Sequence, residues 1–596
     1  MSLLMVYLWA GLMVSLPPTS HQSCTIGTAN ECQKAEFAPG TNLAGEGFDI
    51  TQLKRKGAFV IDMNVWKHKD KTCTLCRNPY LEGIKQRLPL AVVDWRPNQK
   101  CSMKVSSKLH GSSESLVSAS SSSVENNWKV NLDLEVEKRN VKVTGKVMLA
   151  GTNSKLAEYS MAKTKSDKFS FTSHSVSCTY YSYRVSNSPK LHREFKTAVK
   201  NLPKTYVNEN KQRYYKLIDN FGTHYITKVT LGGSVQSVTS IKQCQARLQG
   251  LSTEEVKMCL DVEASTSVGE TNSLKTESKH CEEDKSKTES KTSFSSVFSD
   301  RFTEIKGGHT TEPELLFSAD KDPSSYKEWL KSLPLYPDIV SYSLESLHEL
   351  LPTTDPVRKR LRSAISDYIL EKALWKNCSQ PCQTGVKSDH RDSCVCNCHN
   401  NPGVAADCCP TRKGTARVII TVQRGASLWG DHTTATDGYV KVAFAGHTIG
   451  RTPVIYNNND PTWATSYDQG PVDLSSNKRL RFEVWDEDDK WNDDLLGECE
   501  MDVTAGVKED LCNLQHGQLF YKLDVVCAPS LGGPSCMEYV PSPMNPQLEK
   551  VYVSRHSRPI PKEMLVKMGV LVDGPMLHVN MTLETGESKC SQRIPK

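Results

Sequence analysis

The sequence predicts an α+β protein built from several domains, and three observations support this fold class. The chain has 596 residues, more than one hydrophobic core normally organises, so we expect about three or four domains. Alternating strand patterns fill its first half, helical periods follow between Tyr326 and Trp375, and short strand-like runs return after Lys413. Before that last region, seven cysteines crowd into residues 378–409. We therefore predict a large mixed domain, a small disulfide-rich module and a β-sandwich.

The first residues predict a secretory signal peptide over residues 1–20. The apolar run from Leu3 to Leu16 is too short to span a bilayer and ends in a Pro-Pro-Thr-Ser sequence. No Lys or Arg precedes it, so a buried N-terminal element is the alternative. All 21 cysteines follow the predicted cleavage site, which favours disulfide pairing and secretion. Asn377 and Asn580 each begin a glycosylation acceptor pattern, which is consistent with a secreted glycoprotein.

Charge and hydropathy argue against two classes of protein. The net charge of +6 is small for this length and the basic residues are dispersed, which is not typical of a dedicated nucleic-acid binder. After the N-terminal run, no stretch approaches the roughly 18 apolar residues of a transmembrane helix. Any contact with a membrane must therefore come from a surface or from strands.

Strand patterns begin soon after the signal peptide. Residues Gly57–Asp62 follow a turn and read as a short strand. From Trp128 onward, apolar and charged residues alternate on both sides of a charged tip at residues 138–140. This period of two predicts a two-faced hairpin of strands over residues 128–149.

A compact group of aromatic, glycine, threonine and histidine residues lies near the middle of the first domain. It consists of Phe221, Gly222, Thr223, His224, Tyr225 and, after six residues, Gly232 and Gly233. These residue types predict a packed corner, with the glycine pair letting a strand bend or bulge. The alternative is a nucleophile and base formed by Thr223 and His224, but no carboxylate stands at an informative spacing, so we predict no catalytic residue. The pattern resembles the signature of the membrane attack complex/perforin (MACPF) family.

This resemblance implies the fold and the moving parts of the first domain, which we place at residues 24–375. MACPF proteins, like cholesterol-dependent cytolysins, have a bent sheet with flanking helical clusters, and two of these clusters unfurl into β-hairpins that join a barrel. The matching segments here are residues 151–168 and about 259–305, which are rich in Ser, Thr and Lys. Composition alone favours solvated helices or loops. Barrel strands need only one apolar face, so the composition is also compatible with pore hairpins.

Cysteine spacing predicts disulfides rather than metal sites. Cys73 and Cys76 have CxxC spacing, but no second pair or histidine stands at the usual distance. Residues 376–412 are too short to bury a core, need disulfides, and resemble an epidermal-growth-factor-like (EGF-like) module. Zinc is the alternative there, since His390 and His399 lie nearby, but paired CxxC spacing is missing. Because seven is an odd number, one of these cysteines should pair outside the module.

Residues 413–527 predict a β-sandwich whose connections are acidic. Carboxylate-rich loops without Cys or His suit Ca²⁺, while the alternative is that the acids only keep surface loops solvated. Together with the run Asn457–Trp463, the region resembles a C2 domain, and this resemblance implies Ca²⁺ as the cofactor. The implied metal ligands are Asp431, Asp437, Asp486, Asp488, Asn492, Asp493 and Asp494.

Two tryptophans on the same loops predict membrane contact. Trp429 and Trp491 would place an indole ring at a loop tip, where it suits the boundary between lipid headgroups and acyl chains. The C2 resemblance implies that calcium bridges these loops to headgroups while the aromatic side chains insert. Residues 528–596 form a C-terminal tail for which we predict no function.

The order of these units implies a function. The resemblance implies a secreted, calcium-dependent pore-forming protein that binds phospholipid membranes, assembles as a homo-oligomer and inserts a transmembrane β-barrel for cytolysis in immunity. It also implies storage in cytolytic granules, with neither a nucleic acid nor a small-molecule substrate as partner. One alternative is a MACPF protein that binds membranes in calcium without forming a pore. Another is a secreted lipid hydrolase, but the sequence contains no G-x-S-x-G motif.

Overall fold

A computed structural model describes most of the chain after the predicted signal peptide. The described residues are 24–121, 126–134, 147–270, 280–281, 293–318, 322–376, 382, 385–387, 396–398, 403–430, 434–488, 492–543 and 548–550. The predicted signal peptide and the predicted site residues Asn377, Asp431, Trp491 and Asn580 lie outside them.

Strands dominate the described residues and are labelled in chain order. They are β1 Cys24–Gly27, β2 Glu46–Asp49, β3 Lys54–Phe59, β4 Cys73–Asn78, β5 Ile84–Arg87, β6 Val92–Cys101, β7 Ser106–His110, β8 Val147–Met148, β9 Phe169–Val185, β10 His224–Lys242, β11 Arg301–Lys306, β12 Asp338–Ser346, β13 Leu374–Lys376, β14 Val386–Lys387, β15 Cys396–Asn397, β16 Thr415–Ala426, β17 Gly438–Phe444, β18 His447–Arg451, β19 Thr462–Asp473, β20 Arg479–Asp486, β21 Asp494–Asp502, β22 Gly506–Leu514, β23 Gly517–Cys527, β24 Leu531–Gly532, β25 Glu538–Tyr539 and β26 Leu548–Lys550.

Helices lie almost entirely in the first domain. The α-helices are α1 Ala29–Lys34, α2 Ser113–Ser121, α3 Lys155–Ser166, α4 Arg193–Lys200, α5 Lys211–Phe221, α6 Gln243–Leu248, α7 Thr253–Val268, α8 Phe294–Val297, α9 Ser324–Ser332 and α10 Pro356–Glu371. Short 3₁₀ helices are Leu43–Gly45, Asn126–Lys129, Asn208–Asn210 and Leu347–Leu350. In the described part of the chain, no helix is long and apolar enough to cross a membrane.

Two long antiparallel strands, β9 and β10, form the centre of the main sheet. Their pairing runs from Lys228 opposite Arg184 to Lys242 opposite Phe169. The outer side of β10 is covered by β12 along one half and by β11 along the other, and β6 and β7 divide the outer side of β9 in the same way. Strand β2 pairs with the first residues of β10 and carries β3 on its other side, which completes a sheet of eight strands.

The glycine pair interrupts this sheet, as predicted. The register of β10 against β9 shifts between Leu231 and Gly232, which marks a bulge. A Cβ atom on Gly232 would lie 2.0 Å from the carbonyl oxygen of Cys178. One on Gly233 would lie 2.3 Å from a methyl group of Leu333. Only glycine fits at either position without movement of the neighbours.

Helices occupy both segments that the MACPF resemblance singled out. Ser154 begins α3 by accepting a hydrogen bond from the Ala157 N–H, and Ser252 begins α7 through a reciprocal capping box with Glu255. Helix α7 buries Val256 in the main core. The second segment also contains α8 and β11, whereas residues 271–279 and 282–292 lie outside the described residues. Helical structure is thus confirmed for the described core of each segment.

The predicted strand hairpin over residues 128–149 is wrong in its first arm, whereas residues 147–148 of its second arm form strand β8, which pairs with β13. Residues 126–129 form a 3₁₀ helix, and residues 130–134 form no strand. Trp128 is buried with its ring 6.0 Å from that of His224, and Leu132 packs against the main core. Tertiary packing of these side chains therefore overrides the local alternation. Residues 135–146 lie outside the described residues.

The described cysteines form disulfides, as their spacing predicted, and one of these disulfides joins two units. Cys73 pairs with Cys32 and Cys76 pairs with Cys24, which confirms disulfides at the CxxC sequence. Within the cysteine-rich module, Cys398 pairs with Cys408 and Cys382 with Cys396. Cys409 pairs outside the module with Cys244 of α6, as the odd number of cysteines required.

The C-terminal unit is a sandwich of two four-stranded antiparallel sheets. One sheet has the order β19-β16-β23-β22 and the other β18-β17-β20-β21. Alternate residues of β16, including Val418 and Ile420, face Phe482 and Val484 of β20 in a common core. The strand connections at one end of this sandwich carry the acidic residues predicted to bind metal.

Candidate functional sites

The packed corner at the start of β10 is a buried hydrogen-bond network. Oγ1 of Thr223 lies 2.7 Å from Nδ1 of His224, and Nε2 of His224 donates to the carbonyl of Trp128 at 2.8 Å. The backbone N–H of Ile50 donates to Thr223 Oγ1 at 3.0 Å. Burial lowers the pKa of His224 to about 4, so the ring is neutral at pH 7 and its Nδ1 accepts the Thr223 hydroxyl proton. Both side chains are fully buried, so no substrate could reach the Thr223 hydroxyl, and the pair serves to hold the corner together.

The remaining signature residues hold β10 against its neighbours. Gly222 has a φ of +83°, and a Cβ atom there would lie 2.5 Å from the carbonyl oxygen of Phe48. The ring of Phe221 packs edge-on against Phe195 at 5.3 Å. The hydroxyl of Tyr225 donates to Glu345 of β12 at 2.6 Å. The signature therefore fixes one end of the central sheet, while Gly232 and Gly233 lie at its bulge.

Helix α3, in the first segment, contacts the second segment through Asp300. The hydroxyl of Tyr159 donates to the backbone carbonyl of Asp300 at 3.0 Å, and Lys163 forms an ion pair with its carboxylate. Leu156 packs against Phe171 in a small cluster of its own, apart from the main core. Ala157 packs against Val117 in a second small cluster, so the helix is attached by two small apolar clusters and by polar contacts to Asp300.

Helix α7, in the second segment, is anchored to the sheet by buried polar contacts. Nε2 of His174 on β9 lies 2.8 Å from the Asp261 carboxylate, and Lys257 Nζ lies 2.5 Å from the other oxygen of that carboxylate. Burial raises the pKa of Asp261, but hydrogen bonds from His174 and Lys257 outweigh burial and hold it below its usual value. Glu263 accepts the N–H groups of Phe294 at 3.0 Å and Ser295 at 2.9 Å.

These anchors were not predicted from sequence. His174 and Asp261 are 87 positions apart, and no spacing rule relates them. The available signal was local: Asp261 and Glu263 are acidic residues that lie among the apolar residues Leu260 and Val262 of the same helix.

Three of the predicted metal ligands meet at one end of the sandwich. Gly438, which follows Asp437, lies opposite Asp486, and Asp486 lies opposite Asp494 on the next strand. The N–H of Asp437 donates to Oδ1 of Asp486 at 2.6 Å, and the N–H of Asn457 donates to Oδ1 of Asp437 at 2.7 Å. A Cβ atom on Gly430 would lie 2.1 Å from Oδ2 of Asp486, so the first loop also reaches this carboxylate.

The other predicted ligands have different surroundings. The Asp493 carboxylate accepts the Tyr439 hydroxyl at 2.6 Å, which engages one of its oxygens. Asp488 and Asn492 flank residues 489–491, which lie outside the described residues together with Asp431. In the described part of these loops, no group of three or more His, Cys, Asp or Glu side chains is arranged to hold a metal ion. Within the same described part, neither Asp437 nor Asp494 forms an ion pair with Lys or Arg.

The donor chemistry of this acidic rim suits a hard cation. Carboxylate oxygens of Asp437, Asp486 and Asp494 come from three neighbouring strand ends, and Ca²⁺ accepts six to eight such oxygens in flexible geometry. Like charges this close repel one another unless a cation or protons neutralise them. The described residues therefore bring three carboxylates to one rim of the sandwich, with Gly430 of the first loop beside that of Asp486.

Trp429 lies on the first loop of the same rim. Its indole is 45% exposed although the ring stacks face-to-face on His516, with ring centroids 3.9 Å apart. The N–H of His516 donates to the Leu496 carbonyl, which fixes the histidine backbone to the neighbouring sheet. No role for His516 was predictable from sequence, because this residue lies 87 positions from Trp429 and in an ordinary turn.

Comparison with known proteins extends over nearly the whole chain. The family model described as "MAC/Perforin domain" matches residues 37–377, "Perforin-1-like, EGF domain" matches residues 377–411, and "C2 domain" matches residues 416–521. Perforin-1 of Mus musculus is 40% identical over 534 residues, which cover 89% of this chain and 96% of that protein. Perforin-1 of Homo sapiens is 40% identical over 522 residues, which cover 87% and 93%. A solved "Structure of a C2 domain" matches with 32% identity and a TM-score of 0.17, covering 19% of this chain and 98% of that one.

Proposed function

Because the chain belongs to the membrane attack complex/perforin (MACPF) family, we propose that it is a secreted protein that forms pores in phospholipid membranes in a calcium-dependent manner. One observation carries this proposal. The chain has the MAC/Perforin, EGF and C2 units in one order and shares them with Perforin-1 over 89% of its length.

In this proposal, the C2 domain docks the protein on the membrane through Ca²⁺. Asp437, Asp486 and Asp494, with Asp431, Asp488, Asn492 and Asp493 from the adjoining loop residues, would hold the ion. Calcium neutralises the acidic rim and can share its remaining coordination positions with lipid phosphate oxygens. Trp429 and Trp491 then bury their indole rings at the headgroup boundary.

The first domain would form the pore after several copies assemble side by side. Helix α3 has 12 residues and α7 has 16. A 12-residue helix is about 18 Å long, whereas the same residues as a strand span roughly 40 Å, more than the hydrocarbon thickness of a bilayer. Continuing β9 and β10 into these segments would give each subunit hairpins that close a barrel with those of its neighbours, with every backbone group paired.

Storage in an acidic, calcium-poor granule would keep such a protein inactive. Protons compete with Ca²⁺ for carboxylates, so the acidic rim would bind the ion weakly at low pH. Release to neutral, calcium-rich surroundings would then permit docking on the membrane of a target cell and cytolysis. The proposal requires no bond to be made or broken and assigns no catalytic residue.

The test is release of a small dye from phosphatidylcholine vesicles, with sedimentation of the same vesicles to measure binding. We expect binding and release at millimolar Ca²⁺ and neither in a chelator. The double variant Asp437→Asn/Asp486→Asn should weaken calcium-dependent binding by at least about tenfold, since two charged ligands are lost. Asp468→Asn is the matched control. Asp468 lies on β19, in the sheet that does not contain β17, β20 or β21, and accepts a hydrogen bond from Arg417 at 3.0 Å.

The outcomes separate the alternatives. Calcium-dependent sedimentation without dye release would support a membrane-binding MACPF protein that makes no pore, and it would contradict our proposal. Fatty acid released together with dye would support a lipid hydrolase. Undiminished binding by the double variant would show that the metal site lies elsewhere.

A further inference from the structure

We propose that the short hairpin after the C2 domain is a latch that holds α3 in its helical form as long as the C2 domain keeps its present position. This post-C2 latch comprises β24, β25 and the three residues that follow, residues 530–542 in all. It contacts the first domain through hydrogen bonds to Asp167. The inference rests on the proposed pore-forming function, in which α3 converts to a strand, and it adds a control of that step.

Asp167 is the joint between α3 and β9. Its backbone N–H donates to the Lys163 carbonyl at 3.2 Å and so closes the helix, while its own backbone is already extended. Phe169, the first residue of β9, follows two positions later. Any conversion of α3 into a continuation of β9 must therefore start by moving Asp167.

The post-C2 latch covers this joint. The side chain of Asp167 is buried, and its carboxylate accepts the hydroxyl of Tyr539 and the backbone N–H of Ser542, the latter at 3.0 Å. Burial and the nearby Asp167 carboxylate raise the pKa of Tyr539, so the phenol remains protonated and can donate. Hydrogen bonds to a buried carboxylate are among the stronger ones in proteins, because the charge would otherwise lack solvation.

Tyr539 is carried rigidly by the C2 domain. It lies on β25, which pairs with β24, and the disulfide Cys527–Cys536 closes the hairpin at the end of β23. The N–H of Gly414 donates to the Cys536 carbonyl at 2.9 Å, at the start of the sandwich. A displacement of the C2 domain against the first domain would therefore carry Tyr539 away from Asp167.

The position of Asp167 in the sheet shows why its release matters. Phe169 lies opposite Lys242 at the end of β10, and the Lys168 carbonyl accepts the Gln243 N–H at 3.0 Å, so the ladder already continues one step. Asp167 is the next residue along. To pair with a neighbouring strand as a continuation of β9, Asp167 must move. It can do so only when its hydrogen bonds from Tyr539 and Ser542 are broken.

The EGF-like module contacts the same region but is held differently. Asp407 receives Lys168 on its backbone carbonyl and Arg247 on its carboxylate, the latter at 3.0 Å. The disulfide Cys244–Cys409 ties this module covalently to α6 at the end of β10. The module therefore stays with the first domain, and the contact between Asp167 and Tyr539 is the part that movement of the C2 domain can open. Docking on a membrane would then be coupled to release of α3.

Tyr539→Phe is the direct test, because it removes one hydroxyl and keeps the ring. Tyr467→Phe is the matched control, since the Tyr467 hydroxyl is buried in the same sandwich without a hydrogen-bond partner among the described residues. We expect Tyr539→Phe to leave calcium-dependent vesicle binding unchanged and to accelerate dye release from bound protein by about fivefold to tenfold. In the soluble protein without calcium, hydrogen exchange of residues 155–168 should be faster by a similar factor.

A double-mutant cycle isolates the contact. Asp167→Asn, which also weakens the bond from the Ser542 N–H, should give the same two effects, and adding Tyr539→Phe to it should change release and exchange by less than about twofold. The latch is contradicted if exchange of residues 155–168 in Tyr539→Phe matches that in Tyr467→Phe, whatever the dye release. Wild-type protein that binds vesicles but releases no dye would overturn the proposed pore function instead, and the exchange measurement on the soluble protein would still decide whether the latch holds α3.

Discussion

Acid should destabilise the first domain through His224. Burial lowers the pKa of this histidine to about 4, against an ordinary value of 6.5. The unfolded chain therefore binds a proton at a higher pH than the folded protein does. The contribution to stability is complete above pH 6.5 and is lost as the pH falls from 6.5 towards 4.

The magnitude follows from the difference of the two pKa values, 6.5 minus 4. Each pKa unit corresponds to about 1.4 kcal/mol, so the whole shift is worth roughly 3 kcal/mol, and about 2 kcal/mol of it is lost between pH 7 and pH 5. Protonation would also break the hydrogen bond from the Thr223 hydroxyl to Nδ1, which measures 2.7 Å.

The assay is urea unfolding at pH 7, 6 and 5, monitored by the change in fluorescence when the first domain unfolds. His224→Gln should be less stable than wild type at pH 7 but should lose about 2 kcal/mol less on going to pH 5. His348, which burial also shifts to a pKa of about 4, is present in both proteins, so the comparison measures His224 together with its repulsion from His348. Exposed His309 provides the control variant His309→Gln. If wild type and His224→Gln lose the same free energy of unfolding between pH 7 and pH 5, the reasoning is wrong.

Three further predictions concern the bulge, α7 and the membrane loop. Gly233→Ala should destabilise the first domain by about 1–3 kcal/mol in urea unfolding, because its Cβ would lie 2.3 Å from Leu333, whereas Gly470→Ala, with nothing within 4 Å, should be nearly neutral. Glu263→Gln should speed hydrogen exchange across α7 by about tenfold, since it weakens two charge-assisted hydrogen bonds from backbone N–H groups. The control Glu254→Gln changes an exposed residue of the same helix and should leave the exchange rate unchanged. His516→Ala should weaken calcium-dependent vesicle binding by about threefold, because it frees the Trp429 ring. His516→Phe keeps a ring that can stack on Trp429 and should restore binding. Equal loss of binding in both variants would refute stacking as the cause.

Much of the domain order was predictable because it depends on local signals. The predicted MACPF, EGF-like and C2 units are confirmed by the family matches. The capping residue Ser252 and the proline at the start of Pro356–Glu371 place helix starts by chemistry within one turn. The bulge at Gly232 was predictable for the same reason, since only glycine lacks the side chain that would collide there.

Local patterns failed where distant residues determine the conformation. The alternation after Trp128 indicated a strand, but this side chain is buried against His224, which is 96 positions away. The strand β12 was not predicted at all, although it pairs with half of β10. Its residues lie between proline-bounded helices, and its extended structure depends on the edge of β10 that it covers. Neither outcome is encoded within a window of neighbouring residues.

By itself, the sequence determined the units of this protein, their order, the disulfide chemistry of most cysteines and the acidic character of the C2 loops. These properties depend on residue type and short spacing. Only the tertiary structure decided that His174 holds Asp261, that His516 supports Trp429 and that Tyr539 covers Asp167. Each of these contacts joins residues 87 to 372 positions apart. Such contacts arise when sheets and domains pack, and that packing minimises free energy over the whole chain rather than over any short segment.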